Sequence, residues 1–109
     1  MFIYKKKYFL IIENINDINL SNIKRYNKFL IIYRNNKKNE NIQDLFNFRR
    51  KCRLKLINFF VANDLKMAIK LNADGIYLSS NNREFKPLNI RKNNFDIIGS
   101  AHNSKEIYL

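Results

Sequence analysis

The chain has 109 residues, of which 46% are hydrophobic, and a formal net charge of +12. This length allows one small domain, residues 1–109, and excludes two independent ones, while the hydrophobic share excludes a disordered chain. Cys52 is the single cysteine, which excludes an internal disulfide and favours a reducing compartment. No apolar run approaches the roughly 20 residues that cross a bilayer, and the N-terminus lacks a signal-peptide pattern. We therefore expect a cytoplasmic protein with no membrane partner.

The positive charge admits two interpretations. Lysine and arginine number 21 against 9 acidic residues, and such an excess favours contacts with phosphates, as in nucleic-acid-binding proteins. The basic residues are scattered over several segments, however, and lysine, asparagine and isoleucine share AT-rich codons. We therefore keep a nucleic-acid-binding module as an alternative, and expect most of the charge to reflect composition and solvated surface.

Five short apolar runs predict β-strands. They are rich in isoleucine, phenylalanine or tyrosine and are mostly continuous rather than alternating, which is typical of strands buried on both faces of a parallel sheet. The runs are residues 8–12, 29–33, 56–61, 75–78 and 95–98.

The longest intervening segment, residues 41–55, predicts an amphipathic helix. Ile42, Leu45 and Phe46 recur at helical spacing, and cations follow toward the C-terminal end, where the helix dipole favours them. Residues 18–26 form a weaker helix candidate.

A second helix is predicted over residues 65–71. Asn63 or Asp64 can cap its start, and Asn72 can end it in the left-handed conformation. Residues 84–94 contain the single proline and predict a loop. A further helix signal begins at residues 103–104.

This alternation of strands and helices predicts right-handed βαβ units and a parallel sheet. The spacing of about 20 residues per unit fits either a (β/α) barrel or a doubly wound fold. Because a closed eight-unit barrel takes about 250 residues, a chain with about five strands cannot close one alone. An open sheet edge also favours pairing with a second chain, so a homo-oligomer is expected as one way to cover it.

Several chemical motifs are absent. The two glycines, Gly75 and Gly99, exclude a glycine-rich phosphate loop. Cys52 and His102 are too few for a zinc site.

The most informative stretch is residues 60–80, FVANDLKMAIKLNADGIYLSS. Here a strand ends in Asn-Asp, a one-sided helix follows, and Ala-Asp-Gly turns into the next strand. This pattern resembles the thiamine phosphate synthase / TenI family. Residues 97–106, IIGSAHNSKE, are similar to the end of that family's fifth strand, and residues 31–34, IIYR, resemble its second.

The resemblance implies a barrel that joins an aminopyrimidine diphosphate to a thiazole phosphate and releases diphosphate, or, in the TenI branch, isomerises the thiazole phosphate. It implies that Arg34 binds the diphosphate, that Asn63 orients substrate and that Asp64 binds Mg²⁺. Each residue also has a plainer interpretation. Arg34 can be a solvated arginine, and Asn63 or Asp64 can be a helix N-cap.

The resemblance also assigns roles later in the chain. Asn82 stands where the family has a second acidic metal ligand, and Ser100 and His102 match a catalytic Ser-x-His, in which His102 would transfer a proton. Two family residues are replaced, a glutamine by Ile32 and a lysine by Asn36.

We therefore expect an α/β chain that forms about the first five strands of a (β/α)8 TIM barrel, with the later strands missing. Its expected ligands are phosphorylated small molecules and Mg²⁺. The expected function is that of a thiamine phosphate synthase. The alternative is a non-catalytic or TenI-like protein that binds or isomerises a phosphorylated thiazole or thiamine precursor.

Overall fold

The computed structural model describes residues 8–23, 28–37, 39–79, 95–99 and 106–108. Strands alternate with helices in an α/β arrangement. The elements are β1 (Tyr8–Ile12), β2 (Phe29–Tyr33), α1 (Ile42–Leu54), β3 (Asn58–Ala62), α2 (Leu65–Lys70), β4 (Gly75–Leu78), β5 (Asp96–Gly99) and β6 (Glu106–Tyr108), with two short 3₁₀ turns at Ile15–Asp17 and Leu20–Asn22.

All described strands join one parallel sheet in the order β5-β4-β3-β2-β1-β6. The first five strands are neighbours in chain order, as the βαβ pattern predicts. Each predicted strand is confirmed within two residues. β3 begins late because Leu56 and Ile57 belong to the turn that leaves α1.

The sixth strand differs from the sequence prediction. A helix was predicted to begin at residues 103–104, whereas Glu106–Tyr108 pairs in parallel with β1, Phe9 opposite Glu106. This strand forms because it pairs with β1, almost one hundred residues earlier in the chain. A local capping signal in the sequence contains no information about such a distant partner.

Both described helices cover the same face of the sheet. Residues from α1 and α2 join one buried cluster with the odd-numbered positions of β2 and β3. A doubly wound sheet has helices on both faces. The described helices therefore favour a sheet wound in one direction, which is compatible with part of a barrel.

The opposite face is concave. It carries a second buried cluster that includes Leu30, Ile32 and Phe60. The rings of Phe9 and Tyr77 meet there edge to face, with centroids 6.5 Å apart. Phe9 is on β1 and Tyr77 on β4, three strand spacings of about 4.8 Å away in a flat sheet. The contact therefore requires strong curvature of the sheet.

Helix α1 is confirmed, and of its predicted apolar positions Leu45 is buried and Ile42 packs partly buried against the core, whereas Phe46 does not. Asn41 caps it by accepting hydrogen bonds from the backbone N–H groups of Gln43 and Asp44. Phe46 is 37% exposed. The buried positions are Leu45, Phe48, Arg49 and Cys52. The buried stripe of α1 runs through Arg49 instead of Phe46. An arginine is usually exposed to solvent, but Arg49 is buried because it has a partner inside the fold.

That partner is Asp74, at the amino ends of β3 and β4. The Arg49 guanidinium lies 3.3 Å from the Asp74 carboxylate, and its Nε donates to the carbonyl of Asn72. The other Asp74 oxygen accepts from the Phe59 N–H at 2.8 Å. Burial lowers the pKa of Arg49, and the Asp74 carboxylate opposes that shift. This pair fastens α1 to the amino edge of the sheet.

Gly75 follows Asp74 and has a steric reason to be glycine. A Cβ at this position would overlap the carbonyl oxygen of Asp96 on β5 and the ring of Phe60 on β3. The Ala-Asp-Gly run therefore serves packing: its aspartate completes the Arg49 pair, and its glycine permits the close approach of three strands.

The predicted helix over residues 18–26 is wrong for its described part. A 3₁₀ turn at Leu20–Asn22 forms instead, directly after the one at Ile15–Asp17. Asn19 accepts from the Ser21 N–H, and Asp17 accepts from the N–H groups of Glu13 and Asn14. Short polar side chains that bond the neighbouring backbone compete with helix formation. The loop prediction for 84–94 lies outside the described residues.

Candidate functional site

Three predicted site residues lie at one edge of the sheet. Arg34 directly follows β2, and Asn63 and Asp64 directly follow β3. Because the strands are parallel, these positions share the carboxyl edge, where α/β enzymes place their ligands. The structure thus brings the sequence-predicted residues of two strands to one end of the molecule.

Arg34 continues the ladder between β1 and β2, since its N–H donates to the carbonyl of Ile12 at 2.8 Å. The alternation of β2 therefore assigns Arg34 to the same concave side as the buried Ile32. Its side chain is partly exposed. Among the described residues, the Arg34 guanidinium has no hydrogen-bond or ion-pair partner. Within the described part of the chain it is a cation without a charged partner, on the same side of the sheet as the buried Ile32.

Asn63 is held in a left-handed conformation with φ of 57°. Its side chain bridges to the end of β4: the amide nitrogen donates to the Ser79 hydroxyl, and its oxygen accepts from the Ser79 N–H at 3.0 Å. These contacts fix the carboxyl ends of β3 and β4 relative to each other. The predicted substrate-orienting role stays a prediction.

Asp64 is the N-cap of α2. Its Oδ1 accepts from the Met67 N–H at 3.0 Å, so the capping interpretation is confirmed. The described residues contain no cluster of three or more histidine, cysteine or acidic side chains that could hold a metal. Mg²⁺ is often held by one or two carboxylates together with substrate phosphates, and Asp64 supplies one such carboxylate.

Sequence reasoning missed Glu40 at this edge. Its carboxylate accepts from the Tyr33 hydroxyl at 2.6 Å and from the Ile15 N–H at 3.2 Å. Burial and the hydrogen bond to Glu40 raise the pKa of Tyr33 well above its usual value. Glu40 thereby ties the turn after β1 to the loop after β2. Glu40 and Asp64 both line a small cavity of about 50 Å³.

One local signal could have identified Glu40. Tyr33 ends a buried strand, so its hydroxyl needs a nearby acceptor. Glu40 is the single acidic residue between Arg34 and Asp44. The contact with Ile15 spans 25 residues and has no sequence signature.

A much larger groove, of about 1050 Å³, lies elsewhere. It runs between the segment of 3₁₀ turns and α1. Glu40 lines one end and Lys55 the other. Arg34, Asn63 and Asp64, the predicted site residues that the structure describes, do not line it.

The remaining predicted residues, Asn82, Ser100 and His102, lie outside the described residues. Their assigned roles stay predictions.

No model of a known protein family matches this chain, and neither a curated protein nor a solved structure gives a match. The likeness to the thiamine phosphate synthase / TenI family therefore rests on its short motifs. Among the described helices, none is long and apolar enough to cross a membrane.

Proposed function

We propose that the protein acts like a thiamine phosphate synthase and binds an aminopyrimidine diphosphate at the carboxyl edge of its sheet. The observation that carries the proposal is Arg34. It is a partly exposed cation at the end of β2, and no described residue neutralises it. Guanidinium groups bind phosphate oxygens through two parallel hydrogen bonds, with geometry that lysine does not provide.

The proposal includes an eight-stranded barrel. The consecutive order of β1 to β5, the helices on one face and the curved apolar face opposite all support it. In such a barrel the concave cluster fills the interior, and substrates enter over the carboxyl edge. In a consecutive eight-stranded barrel the free edge of β1 pairs with the last strand, so β6, which lies at that edge, does not take the place of the sixth strand.

In this site Arg34 would hold the diphosphate and stabilise its negative charge as it leaves. Apolar Ile32 beside it lowers the local dielectric, which strengthens that contact. Asp64 would share Mg²⁺ with the diphosphate oxygens. Mg²⁺ supplies charge neutralisation on the leaving diphosphate. Ser100 and His102 are proposed near the reacting centre.

The test of binding is calorimetric titration with the aminopyrimidine diphosphate at physiological salt, with and without Mg²⁺. We expect Arg34→Gln to weaken binding at least about tenfold, the effect of losing hydrogen bonds to a charged group. Arg50→Gln is the matched control, since Arg50 is an exposed arginine on α1. Absence of binding, or equal losses in both variants, would reject the proposal.

A second candidate is a protein that binds a phosphorylated thiazole or thiamine precursor without catalysis. It is favoured by Asp64, whose Oδ1 is already committed to the cap of α2, and by Asn82 in place of an acidic ligand. Incubation with both substrates and Mg²⁺ separates the candidates. Formation of thiamine phosphate supports the synthase, and tight binding without product supports the second candidate.

A further inference from the structure

The C-terminal end of α1 and the turn after it carry an unusual combination of exposed side chains. Leu54 is 78% exposed and Leu56 is 71% exposed, the largest exposures among the described large hydrophobic residues. Cations surround them. We define the α1 tip as Arg50, Arg53, Leu54, Lys55 and Leu56.

The α1 tip is held firmly in place. Leu56 adopts the left-handed conformation, with φ of 59°, and its N–H donates to the carbonyl of Arg53. The next residue, Ile57, is buried, and its N–H donates to the carbonyl of Cys52 at 2.8 Å. Left-handed backbone is costly for a leucine. The chain nevertheless keeps Leu56 here, in solvent, with its backbone fixed by the buried residue that follows.

The surroundings of the α1 tip are strongly positive. Residues 45–63 contain no acidic side chain. Two described acidic residues, Asp74 and Asp96, lie at the same end of the sheet, and Asp74 is bound by Arg49. Among the described residues, Arg50, Arg53 and Lys55 form no ion pair with either of them. A partner that fits the α1 tip is therefore anionic and also buries the two leucines.

Three kinds of partner can be compared for the α1 tip: a nucleic acid, a second copy of the chain and an anionic bilayer. Nucleic-acid phosphates would satisfy the cations but would leave Leu54 and Leu56 in water. A second copy would bring like charges together across a two-fold interface, since each tip would meet the same tip. An anionic bilayer supplies negative headgroups for the cations and an apolar layer just beneath them for the leucines.

We propose that the α1 tip is a docking surface for anionic membranes, on which Leu54 and Leu56 enter the headgroup layer and the cations contact lipid phosphates or carboxylates. Sequence analysis predicts no membrane partner, because the sequence does not show that the fold leaves these two leucines exposed. The proposed site at Arg34 lies at the other end of the strands. A chain docked through the α1 tip would keep that edge open.

The test is sedimentation with phosphatidylcholine vesicles that contain 0% or about 30% phosphatidylserine. We expect binding to the anionic vesicles, weakening as salt is raised, and no binding to neutral ones. The double variant Leu54→Gln/Leu56→Gly should lose about tenfold or more in partitioning. Glutamine keeps the helix and glycine suits the left-handed turn, so the fold is retained.

A charge variant, Arg50→Gln/Lys55→Gln, should lose about fivefold per cation removed. The matched control is Lys66→Gln/Ile69→Gln/Lys70→Gln, which removes two exposed cations and an exposed isoleucine from α2. It should bind like the unaltered chain.

Three results would overturn the proposal. The first is failure to bind anionic vesicles. The second is an equal loss in the α2 control. The third is binding that the leucine variant leaves unchanged, together with equal or stronger binding of duplex DNA, which would identify the α1 tip as a simple polycation.

Discussion

Two arginines at opposite edges of the same sheet have opposite environments. Arg49, at the amino edge, is 5% exposed and is bonded to Asp74 and to the Asn72 carbonyl. Arg34, at the carboxyl edge, is partly exposed, and no described residue pairs with it. Both are arginines beside strand ends, but one completes the fold and the other has no partner among the residues that the structure describes.

The contrast extends to the neighbouring residues. At the amino edge, Asp74 uses both carboxylate oxygens within the fold. At the carboxyl edge, Glu40 likewise holds two loops together, while Asp64 has one oxygen in the cap of α2. The carboxyl edge therefore mixes structural contacts with available groups, whereas the described contacts of the amino edge are structural.

The largest expected effect tests the amino edge. Asp74→Ala removes the partner of a buried guanidinium and the acceptor of the Phe59 N–H, so we expect the free energy of unfolding to fall by about 3 kcal/mol in urea denaturation. Arg34→Ala should change it by less than about 0.5 kcal/mol. Similar losses in the two variants would remove the contrast between the edges.

Gly75→Ala tests the close approach of strands next to that pair. The added methyl meets the Asp96 carbonyl and the Phe60 ring, so we expect a loss of about 2 kcal/mol. Thermal unfolding measures it. A Tm within a degree of the original would show that β4 and β5 do not approach as closely as described.

Tyr33→Phe tests the structural half of the carboxyl edge. It removes the hydroxyl that donates to Glu40 at 2.6 Å, and hydrogen bonds to charged groups contribute about 1.5 kcal/mol or more. We expect a loss of that size in urea. In a Glu40→Gln background, Tyr33→Phe should lower the free energy of unfolding clearly less. An equal decrease in both backgrounds would show that the Tyr33 hydroxyl and the Glu40 carboxylate do not stabilise each other.

Alkaline pH provides a test on α1. Burial raises the pKa of the Cys52 thiol to about 12 from an ordinary value of 9.0. The folded chain holds this proton more tightly, so its contribution is complete below pH 9 and is lost as pH rises toward 12. Between pH 8 and 10.5, we expect Cys52→Ala to lose about 2 kcal/mol less stability than the original chain. Parallel pH profiles from urea melts would contradict this.

The smallest effect concerns the α1 tip. Leu56→Gly relieves a left-handed leucine that is 71% exposed, so stability should rise by about 0.5 kcal/mol. Leu54→Gly, inside the last turn of α1, should instead lower it by about 1 kcal/mol. Differential scanning calorimetry compares the two, and a loss in both would argue against strain at Leu56.

The strands were predictable because their apolar runs are buried on both faces, so hydrophobicity alone marks them. Helix α2 was predictable because Asp64 and Asn72 carry local end signals, and both act as expected. The strand Glu106–Tyr108 was not, because its pairing with β1 is non-local.

The candidate site was partly predictable for the same reason. Arg34, Asn63 and Asp64 follow strand ends, and parallel pairing must bring such positions to one edge. Their contacts were not predictable: the bridge from Asn63 to Ser79 and the one from Glu40 to Ile15 join distant parts of the chain. The inward turn of Arg49 also depends on a residue on another element.

We infer that small phosphorylated ligands bind at the carboxyl edge, whereas the more basic α1 tip contacts the headgroups of an anionic membrane. The most direct measurement is an amide NMR titration with inorganic diphosphate at physiological salt, where exposed charges are largely screened. We expect saturable shifts confined to Arg34, its neighbours and the Asn63–Asp64 turn. Shifts centred on residues 50–56, or none that saturate, would contradict it.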